Sequence, residues 1–169
     1  SKIGRHEDAV ETYKEVIRIN PQLEAAYFNL GVAYTRLGRF NESKDAFEPV
    51  IRINPKAISA YYNAAISYSK LGQYQNAIDA HKQASQRKPD FVAAYFSLGV
   101  VYGIVGKPDA EIEAYKQAIR IDPNFAPAHY SIGHAFLRQG NKAAALNEYK
   151  ILKDLDQNNR LVCPIFGVI

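Results

Sequence analysis

The chain has 169 residues, 47% of them apolar and 22% charged, which is the balance of one ordinary globular domain. Its net charge of +4 is too small a basic excess to point to nucleic acid by itself. The single cysteine, Cys163, excludes an internal disulfide and leaves the redox compartment open.

The chain begins at Ser1, has no visible signal peptide and contains no Met, so it reads as a fragment or processed piece. From about residue 5 to 20 the pattern predicts one helix, closed by Asn20–Pro21. Next comes a helical stripe of Tyr27, Leu30, Tyr34 and Leu37, ended by Gly38. A paired stripe of Phe47, Val50 and Ile51 runs to Asn54 and stops at Pro55. Pro49 lies inside that second helix and is expected to bend it or remove one hydrogen bond. The same sequence of signals then recurs. Pro21, Pro55, Pro89 and Pro123 are 34 residues apart, and so are Gly4, Gly38, Gly72, Gly106 and Gly140. Two further columns keep that interval: Tyr34, Tyr68, Tyr102, Phe136, and the small residues Gly31, Ala65, Gly99, Gly133. Each proline stops a helix, and each glycine, 17 residues later, can take the left-handed conformation of a tight turn.

Phe91 to Gly106 carries no charge and holds Gly99 and Gly103 in a GxxxG arrangement. Its 16 residues fall short of the roughly 20 that a membrane span needs, so a buried repeat helix is expected and no membrane span.

The 34-residue period with these small, aromatic and proline columns resembles the tetratricopeptide repeat family. The resemblance covers residues 1 to about 159: a partial repeat at 1–23, then repeats at 24–57, 58–91, 92–125 and 126–159. It implies an all-α fold, a right-handed α-solenoid of antiparallel helix pairs, in which each pair buries its apolar face against the next. Three departures stand out. Glu111 occupies a small-residue position (Ala9, Ser43, Ala77 and Ala145 in the other units), so the turn near Pro108 is expected to shift by one residue. Pro49 is the second, and Gln157 in place of the closing proline is the third.

In this family the first helix of each pair lines the concave surface. The resemblance therefore implies a peptide-binding groove built from four rows. They are Phe28, Tyr62, Phe96, Tyr130; Asn29, Asn63, Ser97, Ser131; Val32, Ile66, Val100, His134; and Arg36, Lys70, then Arg138, with Ile104 interrupting the basic margin. Aromatic rings give large contact area at low entropy cost. Asparagine can donate to and accept from a peptide backbone. Asn29 and Asn63 resemble the asparagine ladder of the family's glycosyltransferase members, although Ser97 and Ser131 break it. The positions of the carboxylate clamp used by chaperone-binding members fall on Phe28, Val32, Asn63, Ala93 and Ser97, of which only Asn63 matches. No binding to chaperone C-termini is expected.

Elsewhere the chemistry is sparse. Lys14, Lys82, Lys116 and Lys150 form a column, broken by Glu48, with Glu11, Asp79 and Glu113 three residues before the first three lysines as weak surface pairs. His129 and His134 are five apart, the wrong spacing for two metal ligands on one helix face. No metal, cofactor or catalytic constellation is expected, and the chain reads as no enzyme. The expected function is a protein–protein interaction scaffold holding an extended or helical segment. The alternative is the substrate-recruiting arm of a larger enzyme such as a glycosyltransferase. Nucleic acid is disfavoured, and the compartment is open, with cytoplasm slightly preferred. The apolar tail, residues 160–169, ending Leu161-Val-Cys-Pro-Ile-Phe-Gly-Val-Ile169, is a candidate for self-association.

Overall fold

The computed structural model describes residues 2–159, with side chains from Gly4 to Asp156. The tail expectation concerns residues outside that range. Among the described residues every element is an α-helix: α1 Lys2–Ile19, α2 Glu24–Arg36, α3 Phe40–Ile53, α4 Ile58–Lys70, α5 Tyr74–Arg87, α6 Val92–Ile104, α7 Pro108–Ile121, α8 Ala126–Arg138 and α9 Lys142–Asn159. The starts of α2, α4, α6 and α8 repeat at the 34-residue interval read from the sequence, and so do those of α3, α5, α7 and α9.

The turns explain this regularity. Gly38, Gly72, Gly106 and Gly140 have φ of 73°, 73°, 69° and 78°, left-handed values that a Cβ would strain. Each glycine is followed by an N–H that reaches back over the helix end: Arg39 N donates to Tyr34 O, Gln73 to Tyr68, Lys107 to Tyr102 and Asn141 to Phe136, all at 2.9 Å. With the glycine N–H bonded three residues back, this is the Schellman closure, which satisfies otherwise orphaned carbonyls. At the proline turns, Asn20, Asn54 and Asp122 accept through side-chain Oδ1 from the backbone N–H two residues on.

The expected departures resolve as follows. α3 runs without interruption through Pro49. α7 begins at Pro108, in register with Phe40 and Tyr74, so the expected one-residue shift at Glu111 does not occur. Room for Glu111 comes from Gly103: a Cβ there would lie 2.8 Å from the Glu111 carboxylate. Without the closing proline, α9 runs on to Asn159, for 18 residues against 14 in α3, α5 and α7. Of the three expected lysine pairs only Glu11–Lys14 forms among the described residues, at 2.8 Å. Asp79 and Glu113 instead accept from Gln75 and Gln117.

The chain divides into two units, one ending at Ala94 and one beginning at Tyr95. In the first, Tyr34 reaches back to Val10 of α1 in a core with Leu30, Ala33 and Ala46. Phe47 and Val50 of α3 pack on Ala60 and Ala64 of α4, with Tyr68 against them. In the second unit Ile112 and Tyr115 of α7 pack on Ile132 and Ala135 of α8. Within the units α2 is thus seated on α1, α4 on α3 and α8 on α7, a first helix on the second helix of the preceding pair, as nearest-neighbour packing requires. α6, the uncharged helix, is 13 residues long, about 20 Å, and no helix among the described residues is long and apolar enough to cross a membrane.

The small-residue column has a steric reason. A Cβ at Gly31 would lie 2.7 Å from the Phe47 ring, and one at Gly99 2.4 Å from the Tyr115 ring. The second full repeat carries Ala65 instead, and there the ring position holds the smaller His81, which is 1% exposed. Burial pushes the His81 imidazole down to about 4 from an ordinary value of 6.5, and its Nδ1 meets no hydrogen-bond partner among the described residues. As pH falls below 6.5 the unfolded chain protonates at this site while the folded chain does not. His81 therefore leaves stability untouched above pH 6.5 and removes it progressively down to about pH 4, by roughly 3 kcal/mol in total. Urea denaturation from pH 7.5 to 4 should show this loss, and His81→Gln should flatten it.

Candidate functional site

The groove rows occupy one side of each first helix, because positions i, i+1, i+4 and i+8 lie close together on a helical surface. In the first unit α2 presents Phe28, Asn29, Val32 and Arg36, while α4, packed beside it, presents Tyr62, Asn63, Ile66 and Lys70. Asn29, Arg36 and Lys70 are exposed; the other five are half-buried. Neither Arg36 nor Lys70 has an ion partner among the described residues, and neither helix holds a carboxylate beyond Glu24.

The aromatic row works on two sides. Phe28 stands edge-on to Phe47 of α3 with ring centroids 5.6 Å apart. Tyr62 lies 5.4 Å from His81 and 5.0 Å from Phe91. One flank of each ring is packed, and part of it stays in contact with solvent. Asn63 uses its Nδ2 to donate to Ser59 O at 2.7 Å, back along its own helix. The two asparagines are therefore not equivalent: Asn29 stands exposed, whereas Asn63 is held by α4.

In the second unit α6 presents Phe96, Ser97, Val100 and Ile104, and α8 presents Tyr130, Ser131, His134 and Arg138. Phe96 stands 5.7 Å from Tyr115 and 5.4 Å edge-on from Phe125. Tyr130 meets His134 at 4.5 Å. Val100, Ile104 and Tyr130 are 39%, 56% and 41% exposed, so this face is more apolar than that of the first unit. Ser131 hydrogen-bonds the Tyr115 hydroxyl, whose pKa is pushed up to about 12, by burial first and by the Glu111 charge second. Arg138 is tied to the buried Glu111 of α7. Among the described residues it is the one cation of the predicted margin with an anion already beside it.

The sequence reading missed a concavity in the first unit, with a volume of about 700 Å³, open on one side. Leu23, Ala25, Phe28 and Asn29 line it from the α2 side, with Ile53 at the end of α3 and Ala57 to Ala60 at the start of α4. Glu24 lies on its rim and accepts from Asn54 Nδ2 at 3.2 Å. The signal was present in a column not singled out: Leu23, Ala57, Phe91 and Phe125 also recur every 34 residues. Phe91 packs on Tyr62 and Phe125 on Phe96, whereas the residue beside Phe28 is Ala57.

The comparison with known proteins decides the family. A tetratricopeptide repeat model matches residues 22–90, and a second TPR repeat model matches 2–38 and 110–140. The chain belongs to the tetratricopeptide repeat family. Among curated proteins none matches it in sequence. Among solved tetratricopeptide structures it is similar to MamA, with 28% identity and a TM-score of 0.90 over 93% of this chain and 92% of that one. A second MamA structure gives 26% identity and 0.87 over 98% and 90%. YrrB, described as a TPR protein with an unusual peptide-binding site, shares the fold at 22% identity, with a TM-score of 0.78 over 95% and 82%. The architecture is that of a tetratricopeptide protein-interaction scaffold, a family that binds protein partners.

Proposed function

We propose that the chain holds an extended segment of a partner protein on the exposed side of its first helices and itself carries out no reaction. The observation that supports this most is the divided aromatic row. Phe28, Tyr62 and Phe96 each lean on a ring of the paired helix, so they are rigid, yet none is sealed away from solvent. Rigid, half-open rings supply contact area with little entropy left to lose. Exposed Asn29 beside them offers both an N–H₂ donor and a carbonyl acceptor to a guest backbone. The related fold of YrrB carries a peptide site of its own, which agrees with this reading.

The test is affinity capture with wild type beside two variants. Tyr62→Ala/Asn63→Ala removes the half-buried centre of the α2–α4 face. Asn29→Ala/Arg36→Ala removes only exposed groups and should leave the melting temperature unchanged. A partner bound through this face is expected to lose about tenfold or more in affinity with either variant, the range of one or two interface hot spots. A partner retained equally by wild type and both variants removes the face from consideration.

A further inference from the structure

The geometry points to a specificity pocket in the first unit: the notch at Ala57 receives an aromatic side chain of the partner segment. This inference rests on the peptide-binding reading and names what the peptide carries. The protein supplies its own template for the contact. In the next two repeats a ring of the first helix is flanked by a phenylalanine from the turn ahead, Phe91 against Tyr62 at 5.0 Å and Phe125 against Phe96 at 5.4 Å. In the first full repeat the ring is Phe28, but the turn ahead carries Ala57. The side chain supplied there is a methyl, and the space it leaves is part of the concavity bounded by Leu23, Phe28, Ile53 and Ala57. Its lining is mostly apolar, with Gln22, Glu24, Ser59 and the exposed Asn29 as its polar members, and it opens to solvent. A ring from outside would make the ring–ring contact that the fold makes internally twice, tilted at Tyr62–Phe91 and edge-on at Phe96–Phe125.

Charge fixes the rest of the ligand. Arg36 and Lys70 lie at the far ends of the same two helices, exposed and without an anion among the described residues. Eight residues of helix separate Phe28 from Arg36, about 12 Å, which an extended peptide covers in roughly four residues. The occupant is therefore a segment of another protein with an aromatic anchor and, about four positions away, an Asp or Glu.

The experiment uses the full chain. A display library of random 12-residue peptides is selected on it, and recovered peptides are measured as fluorescein conjugates. Recovered sequences should share an aromatic residue with an acidic one about four positions off. The decisive variant is Ala57→Phe. It should fold, because Ala57 has φ −70°, ψ 81° and Phe125, which already carries the ring, has φ −73°, ψ 83°. It should raise the melting temperature by a few degrees through added burial. It should also weaken the peptides about tenfold or more by filling their anchor site. Peptides that bind without an aromatic residue, or bind Ala57→Phe within twofold of wild type, overturn the pocket but leave the groove if Tyr62→Ala/Asn63→Ala still weakens them. A library that yields no binder overturns both. Concentration-dependent self-association abolished by Ala57→Phe would make the occupant a second copy and overturn the assignment to a partner protein.

Discussion

Gly99→Ala is expected to destabilise the protein by about 2 kcal/mol, although alanine is the better helix former by roughly 1 kcal/mol. The gain in propensity is outweighed because the new methyl would stand 2.4 Å from the Tyr115 ring, and Tyr115 is 3% exposed with no open side to turn toward. Gly31→Ala should behave similarly, with Phe47 at 2.7 Å and fully buried. Gly133→Ala should be close to neutral, because its Cβ would meet Tyr149 at 3.3 Å and Tyr149 is only half-buried. Urea denaturation of the three variants gives the order. Gly133→Ala as costly as Gly99→Ala would show that the rings are not what selects glycine here. The complementary test uses the second repeat, where Ala65 faces His81. His81→Phe alone overfills that space, whereas Ala65→Gly/His81→Phe rebuilds the Gly31–Phe47 pair. A double-mutant cycle should return a favourable coupling of at least about 1 kcal/mol.

That pairing shows which parts of the fold a sequence can carry openly. Helix ends were legible because each is set by one residue with a backbone reason: proline before the first helix of a pair, left-handed glycine after it. Helix register then followed from counting. Pairings between columns were less visible, because they depend on which side chains meet across helices. Glu111 illustrates this. Read alone it suggested a displaced turn, since only small residues occupy its column elsewhere. The compensation was encoded eight residues earlier, where Gly103 replaces Thr35 and Ser69, but only the packing of α6 on α7 brings the two positions together. The candidate site shows the same division. The rows follow from the family resemblance, which says which helix of each pair lines the groove, and from counting along that helix. The holding of the Asn63 amide by Ser59, and of Arg138 by Glu111, depends on rotamers that spacing does not specify.

Arg138→Ala should cost more than Glu111→Ala, although both remove the same ion pair. Glu111 is buried, with a side chain 6% exposed, whereas Arg138 is 59% exposed. Taking away the arginine leaves a carboxylate inside the protein beside the Tyr115 ring. Removing one member of a fully buried pair costs about 3–5 kcal/mol; access of water through the space left by Arg138 reduces this to about 2 kcal/mol. Taking away the carboxylate instead leaves a guanidinium that water already solvates. It also restores the alanine found at this position in the neighbouring repeats, Ala77 and Ala145, with a small void over Gly103 as the remaining loss, about 1 kcal/mol. The double variant should match Glu111→Ala alone. Equal costs for the two single variants would mean that the carboxylate is solvated when unpaired. The same asymmetry bears on binding. In wild type Arg138 is neutralised from within, so it offers a guest less charge than Arg36 or Lys70 does. Glu111→Ala should release it and raise the affinity of acidic peptides for the second unit, and the size of that gain measures how strongly the fold holds this cation for itself.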